Sequence, residues 1–156
     1  LVALKAVATG NVLSIEAVAN YDFSSGVNGL NQAVDVIVSA DGTSLYVAGA
    51  NDNSVVIFDR NTASGALSND RRITEGDVGI SGLAGVNALA ISPDRRTVYT
   101  SGVNLQNLGI YTRALLTGDL SLIVLVDAST VSETMWGVAA RIVSSDVKHL
   151  YVSLAG

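Results

Sequence analysis

The chain contains no cysteine and a single histidine, His149. Disulfides and thiolate chemistry are therefore excluded, and a multi-histidine zinc site cannot form within one copy. Proline is almost missing too: Pro93 stands alone against 15 glycines. Turns must then rest on Gly, Asn, Asp and Ser, which bond their own backbone or tolerate positive φ. Basic residues are few, the formal net charge is −5 and no basic run exists, which argues against a nucleic-acid surface. No apolar run approaches the roughly 18–20 residues needed to cross a bilayer; the longest, Leu122–Val126, is strand length. The chain opens on Leu1 without a signal-peptide layout, the pattern of an excised or processed segment. An acidic, lysine-poor composition rich in Asn and Ser fits a secreted or cell-surface protein. Sustained 3.6-residue periodicity is missing as well, so little or no helix is expected.

What is present is a repeat. Apolar residues make up 49% of the 156 positions and charged ones 15%, enough for one domain with a substantial core. The stretch 45–63, LYVAGANDNSVVIFDRNTA, reads as two strands around a polar turn; it recurs near Val98–Thr112 and begins again at Leu150. Apolar strands Ala33–Val38, Val86–Ile91 and Val138–Val143 precede it. Each runs into a Ser-x-Asp turn whose aspartates, Asp41, Asp94 and Asp146, lie 53 and 52 residues apart. Gly10, Gly65 and Gly118 align in a further turn, as do Lys5, Arg60 and Arg113 on the strand before it. Labelling the four strands of a unit a to d, the order is c-d, a-b-c-d, a-b-c-d, a-b. Four short antiparallel strands per unit of about 52 residues make a β-propeller blade, so the fold class is all-β with three blade equivalents. The units are 33–85, 86–137, and a split blade made of 138–156 plus 1–32.

The phrases Ser39-Ala40-Asp41-Gly42, Leu45-Tyr46-Val47, Val55–Arg60 and Ser64–Leu67, with their second copies Ser92-Pro93-Asp94, Val98-Tyr99-Thr100, Ile110-Tyr111 and Thr117–Leu120, resemble the seven-bladed lactonase-like propellers. That group takes in proteins similar to 6-phosphogluconolactonase and the Tyr-Val-Thr-Asn repeat proteins. The resemblance implies the fold, and it implies lactonase activity for some members and none known for others. Its motifs build turns and blade cores rather than a reaction centre.

Three blades are fewer than the four to eight of a closed ring, and open apolar edge strands invite association. The c-d and a-b halves at the two ends are complementary. Two outcomes are expected: a homodimer forming a six-bladed ring by sharing split blades, or a piece of a longer propeller.

Ligands of propellers meet the face made by the d–a and b–c loops. Those loops supply Asp22, Asn28, Asn31, Gln32, Glu75, Asp77, Glu133, Trp136, Asn51, Asp52, Asn53, Asn104 and Gln106. Short polar residues also fill turns for backbone reasons alone. Asp35 and Arg141 stand where the other units carry apolar residues; they either form a polar channel site or are satisfied structurally. Trp136 beside Met135 is either a stacking platform for sugar or inter-blade packing. The residues singled out as ligand-binding candidates are thus Asp35, Arg141, Trp136, Asn31 and Asp77. Calcium could be held by Asn51-Asp52-Asn53 or by Glu75 and Asp77, although no EF-hand spacing is present; no other cofactor is indicated. His149 has no Ser and Asp placed around it to form a triad. The leading reading is a non-enzymatic interaction module closing its ring by oligomerisation. The alternatives are a lactonase-like hydrolase completed only in the full propeller, and a carbohydrate-binding surface domain.

Overall fold

A computed structural model describes residues 1–9, 12–104, 106–127 and 138–154. Twelve strands form four separate antiparallel sheets among these residues. The first complete blade is β3 (Ala33–Val38), β4 (Ser44–Gly49), β5 (Ser54–Arg60) and β6 (Leu67–Thr74), paired in chain order. The second is β7 (Val86–Ile91), β8 (Thr97–Gly102), β9 (Asn107–Arg113) and β10 (Leu120–Asp127). Two hairpins remain: a leading one, β1 (Val2–Thr9) with β2 (Val12–Asn20), and a trailing one, β11 (Val138–Val143) with β12 (Leu150–Leu154). The innermost strands lie side by side, since β7 contacts both β3 and β11. The order c-d, a-b-c-d, a-b-c-d, a-b read from the repeat is the order observed. The sole helical element described is a 3-10 turn at Phe23–Ser25, capped by Asp22.

Sequence chemistry explains the repeated turn. In each unit the Ser hydroxyl donates to the Asp carboxylate: Ser39 to Asp41 (2.5 Å), Ser92 to Asp94 (2.5 Å), and Ser144 to Asp146. The same Asp oxygen accepts the N–H two residues on, from Thr43, Arg96 or Lys148. The Ser oxygen accepts the N–H of the first residue of the next strand, Ser44 or Thr97, or of His149 just before β12. Each inner strand pair also slips register at one place, between Ala33 and Asp35, Val86 and Ala88, and Val138 and Ala140. A bulge repeated at one position re-aims the same side chain in every unit.

Alternation along the strands sends side chains to opposite flanks of a blade. Tyr46, Ala48, Val55 and Ile57 pack with Leu83, Val86, Leu89 and Val98 in the joint between the two blades. Val47, Val56 and Phe58 face the other way, with Val27 and Tyr21. A polar lock runs through the joint. Arg113 of β9, its side chain 0% exposed, donates to Tyr46 Oη (2.7 Å) and Ser44 Oγ (3.0 Å) of the first blade. It also approaches Asp41 Oδ2 at 3.5 Å. Tyr46 Oη in turn donates to Gly118 O at 2.7 Å. Gly118 sits at φ 77°, and a Cβ there would lie 2.5 Å from Ser44 Oγ, so the approach requires glycine. Burial opposes ionisation of Asp41, but bonds from Ser39 and Thr43 and the charge of Arg113 hold its carboxyl well below the usual range. On the outer rim Arg71 ties β6 to the next blade through Asp119 (2.7 Å) and the Thr117 carbonyl.

Candidate functional site

The loop that follows β2 carries the site. Asp22 caps the 3-10 turn and Gly26 ends it in the left-handed region. The loop is then fastened to the first blade. Tyr21 packs edge-on against Phe58 with ring centroids 5.6 Å apart, and its hydroxyl accepts the Leu67 N–H. Ser54 Oγ donates to Gly29 O at 2.9 Å, and Asn31 N–H donates to Asp52 Oδ2 at 3.0 Å. Gly29 lies at φ 95°, and a Cβ there would fall 2.6 Å from Arg72 Cδ. The absence of a side chain at Gly29 therefore makes room for the Arg72 stem. The result is a cleft of about 500 Å³ on the loop face of the first blade. Its polar lining is Asp22, Asn28, Asn31, Asp52 and Arg72; Tyr21, Phe23, Val27 and Leu30 supply apolar wall. Phe23 is 82% exposed. The Ser24 hydroxyl and Ser25 N–H lower the Asp22 carboxyl below its ordinary value, making it a weak base and a persistent anion.

The polar lining is not shared by the next blade. At the repeat spacing, Asn31, Asp52 and Arg72 stand opposite Ala84, Leu105 and Leu125. Asn31 was visible from sequence as a loop candidate, and Asp52 as a calcium candidate. Arg72 escaped notice because it follows Arg71 on an outer strand and reads as surface charge. Its replacement by Leu125 one unit later is the signal that finds it.

Other candidates are accounted for by backbone bonds. Asp35 Oδ2 accepts the Leu89 N–H across the joint at 2.6 Å, and Oδ1 accepts the Val36 N–H at 2.8 Å. The charge is thus satisfied by the neighbouring blade's backbone. Asp77 Oδ2 accepts Thr74 N–H (2.8 Å), Glu75 accepts Leu83 N–H (2.6 Å) and Ser81 Oγ (3.2 Å), and Asn53 Oδ1 accepts Gly85 N–H (2.7 Å). These oxygens hold the loops, and the described residues include no group of three or more His, Cys, Asp or Glu placed for a metal. Asn53 and Gln106 both adopt left-handed backbone, φ 51° and 50°, as turn residues. Gln32, with φ 53°, does the same and receives the Ala50 N–H on its carbonyl. Asn51 N–H donates to Asn31 O, and Asn104 N–H to Ala84 O. His149 is exposed beside Tyr151, ring centroids 6.2 Å apart. Arg141 lies on β11 in register with Val152. Trp136, Met135 and Glu133 lie outside the described residues.

Two complete four-stranded blades with two half-blades, inner strands side by side, define an arc of a β-propeller. The family model described as Lactonase, 7-bladed beta-propeller matches residues 3–136, and the chain belongs to that family. Among solved structures it is similar to the periplasmic gluconolactonase of Pseudomonas aeruginosa, at 25% identity and TM-score 0.58, covering 80% of this chain and 33% of that one. A Bacteroides uniformis protein provisionally assigned as a 6-phosphogluconolactonase aligns at 18% identity and TM-score 0.68, over 97% and 40% of the two chains. A Lactobacillus plantarum protein aligns at 19% and 0.67, over 97% and 44%. The chain therefore spans less than half the length of these neighbours. No curated protein sequence matches it.

Proposed function

We propose that these blades belong to a sugar-lactone hydrolase and that the cleft beside Arg72 receives the lactone. Membership in the lactonase family carries this reading, and it displaces the non-enzymatic module as the first choice. The cleft's chemistry supports it. A sugar lactone offers several hydroxyls and one ester carbonyl. Asn28, Asn31 and Asp22 are hydroxyl-binding groups, and exposed Phe23 offers a face for the ring's C–H side. Hydrolysis adds water to the carbonyl carbon, places negative charge on the carbonyl oxygen, and then breaks the ring C–O bond, the ring oxygen taking up the proton that the base removed from the water. Arg72, a permanent cation, is suited to stabilise that oxyanion. Asp52 Oδ2 is bonded to Asn31 N–H, leaving Oδ1 as an acceptor for the water's proton.

The test is twofold. Binding of glucono-δ-lactone and of gluconate is followed by amide chemical shifts, and hydrolysis by acid release above the spontaneous rate. Arg72→Ala is expected to lower kcat/KM by about 100-fold, as loss of an oxyanion donor does; Asp52→Asn is expected to lower kcat more than binding. Absence of both binding and acceleration refutes the reading. Binding without acceleration would favour the carbohydrate-binding alternative, for which Phe23 is the exposed aromatic in the described cleft.

A further inference from the structure

We propose that Asn28, on the wall of the cleft, is a site of self-modification: the Gly29 nitrogen attacks the Asn28 side-chain amide, and the residue passes through a succinimide to aspartate and isoaspartate. The inference holds whatever the cleft binds. It rests on one dipeptide and on the packing that dictates it.

Of the chain's asparagines, only Asn28 precedes a glycine. The fold leaves no choice about that glycine. Gly29 has φ 95°, and a Cβ there would fall 2.6 Å from Arg72 Cδ and 2.9 Å from Val56 Cγ2. Packing of the loop onto the blade thus sets the least hindered backbone nitrogen directly after an asparagine. Asn28 is exposed. Among the described residues neither its side-chain amide nor the Gly29 N–H has a hydrogen-bond partner, so the side chain is free to turn its carbonyl carbon onto that nitrogen. Other asparagines are held. Asn53 Oδ1 accepts the Gly85 N–H, Asn61 Oδ1 accepts the Ala63 and Ser64 N–H groups, Asn69 Nδ2 donates to Asp59, and Asn107 is buried. The exposure of Asn28 does not depend on what precedes β1. Its equivalent in the second unit, Ser81, follows a complete blade. Ser81 is still partly exposed and bonds only within its own unit, to Glu75 through Oγ and to Tyr111 Oη through its carbonyl.

The steps balance with water alone. The Gly29 nitrogen gives its proton to solvent and forms a C–N bond to Asn28 Cγ. The bond from Cγ to Nδ2 then breaks, and Nδ2 takes up a proton and leaves as ammonia. Water opens the five-membered ring at either carbonyl. Attack at Cγ yields aspartate. Attack at the backbone carbonyl carbon yields isoaspartate, in which the main chain runs through Cβ and Cγ and gains a methylene. Either product adds a carboxylate to a lining that already holds Asp22 and Asp52 against Arg72. Isoaspartate also lengthens the main chain beside Gly29, whose carbonyl meets Ser54 Oγ at 2.9 Å to fasten the loop to the blade. The modification therefore recharges the cleft and slackens the loop that walls it.

The folded, intact chain is kept in mildly acidic and in mildly alkaline buffer and sampled over days by ion exchange, ammonia release and peptide mapping with fragmentation. Aspartate and isoaspartate are expected at position 28, with one ammonia released and one negative charge gained per modified chain. The rate should rise with hydroxide concentration, because the attacking nitrogen must lose its proton. Asn28→Gln, whose longer side chain would have to close a six-membered ring, should stop the change; the position is exposed, so the fold is spared. In the modified chain the amide signals of Gly29, Asp52 and Ser54 should move from their starting positions. A folded chain that stays unmodified overturns the proposal, and reaction of the guanidinium-unfolded chain under the same buffer would then show that the loop shields the bond. Equal conversion at another asparagine of the folded chain, or ammonia release undiminished in Asn28→Gln, overturns it too. Conversion at position 28 that leaves those three amide signals in place refutes the stated effect on the cleft.

Discussion

Arg113 and Arg60 occupy one repeat position in two different surroundings, which permits a controlled perturbation. Arg113→Ala removes a fully buried guanidinium that donates to Tyr46 Oη at 2.7 Å and Ser44 Oγ at 3.0 Å and neighbours Asp41 at 3.5 Å. Stranding buried partners of a charged donor costs about 1–3 kcal/mol each, and breaking a buried ion pair about 3–5 kcal/mol. Two effects reduce the total. Asp41 keeps Arg95 at 3.2 Å and its turn bonds, and the truncation returns about 2 kcal/mol of side-chain entropy. A net loss of about 3 kcal/mol is expected. With a urea m-value of about 2 kcal/mol/M, the unfolding midpoint falls by roughly 1.5 M. Arg60 donates to one neutral carbonyl, Gly42 O at 3.0 Å, on the open flank, so Arg60→Ala should cost about 1 kcal/mol or less. Both variants are compared by far-UV circular dichroism at a dilution where single copies prevail. Equal losses, or a loss at Arg113 under about 1 kcal/mol, would refute the claim that the guanidinium locks the blades.

Gly118→Ala should destabilise by about 2 kcal/mol or more, whereas Gly65→Ala should cost about 1 kcal/mol. Both lie at φ 77°, but only Gly118 has a neighbour, Ser44 Oγ, at 2.5 Å from the new Cβ. Hydroxyl bonds from Ser92 and Ser144 lower the carboxyls of Asp94 and Asp146, and Asp41 is lowered despite its burial. Depressed values add stability that is complete above the unfolded carboxylate range near ~3.9 and lost as pH falls through the folded values. The urea midpoint should therefore stay level from about pH 7 to 5 and drop below about 4, and Asp41→Asn should flatten that drop. Burial raises the phenols of Tyr46, Tyr99 and Tyr111. In a spectrophotometric titration these three of the five tyrosines should ionise above the ordinary value, and simple titration of all five near pH ~10 would contradict their placement.

Much of the architecture could be read from residues because each unit repeats local chemistry. The expected strands Ala33–Val38, Val86–Ile91 and Val138–Val143 match β3, β7 and β11 residue for residue, since a Ser-x-Asp turn marks the end of each. The site was less legible. Asp35 was recognisable as a charge in an apolar position, but its acceptor role depends on Leu89, 54 residues away. The likeness of Lys5, Arg60 and Arg113 was visible as spacing, yet nothing local says which of them a neighbouring blade will bury. Asp52 and Arg72 line one cleft only because the Gly29 loop folds over the blade that carries them. Burial and convergence are properties of non-local packing, and a one-dimensional repeat carries them only as departures from its own pattern.

The lock through Arg113 also has a direction in time. Its acceptors, Asp41, Ser44 and Tyr46, lie in the preceding unit, 67 to 72 residues earlier in the chain. As synthesis proceeds from the N-terminus, a blade can form its own sheet early. Its inter-blade lock is completed only when the following unit has emerged and its arginine reaches back. The first blade thus waits, with its Tyr46 hydroxyl and its paired Ser39-Asp41 turn on offer, for the unit made after it. At this joint the clasp runs backward along the chain, from the later unit to the earlier one.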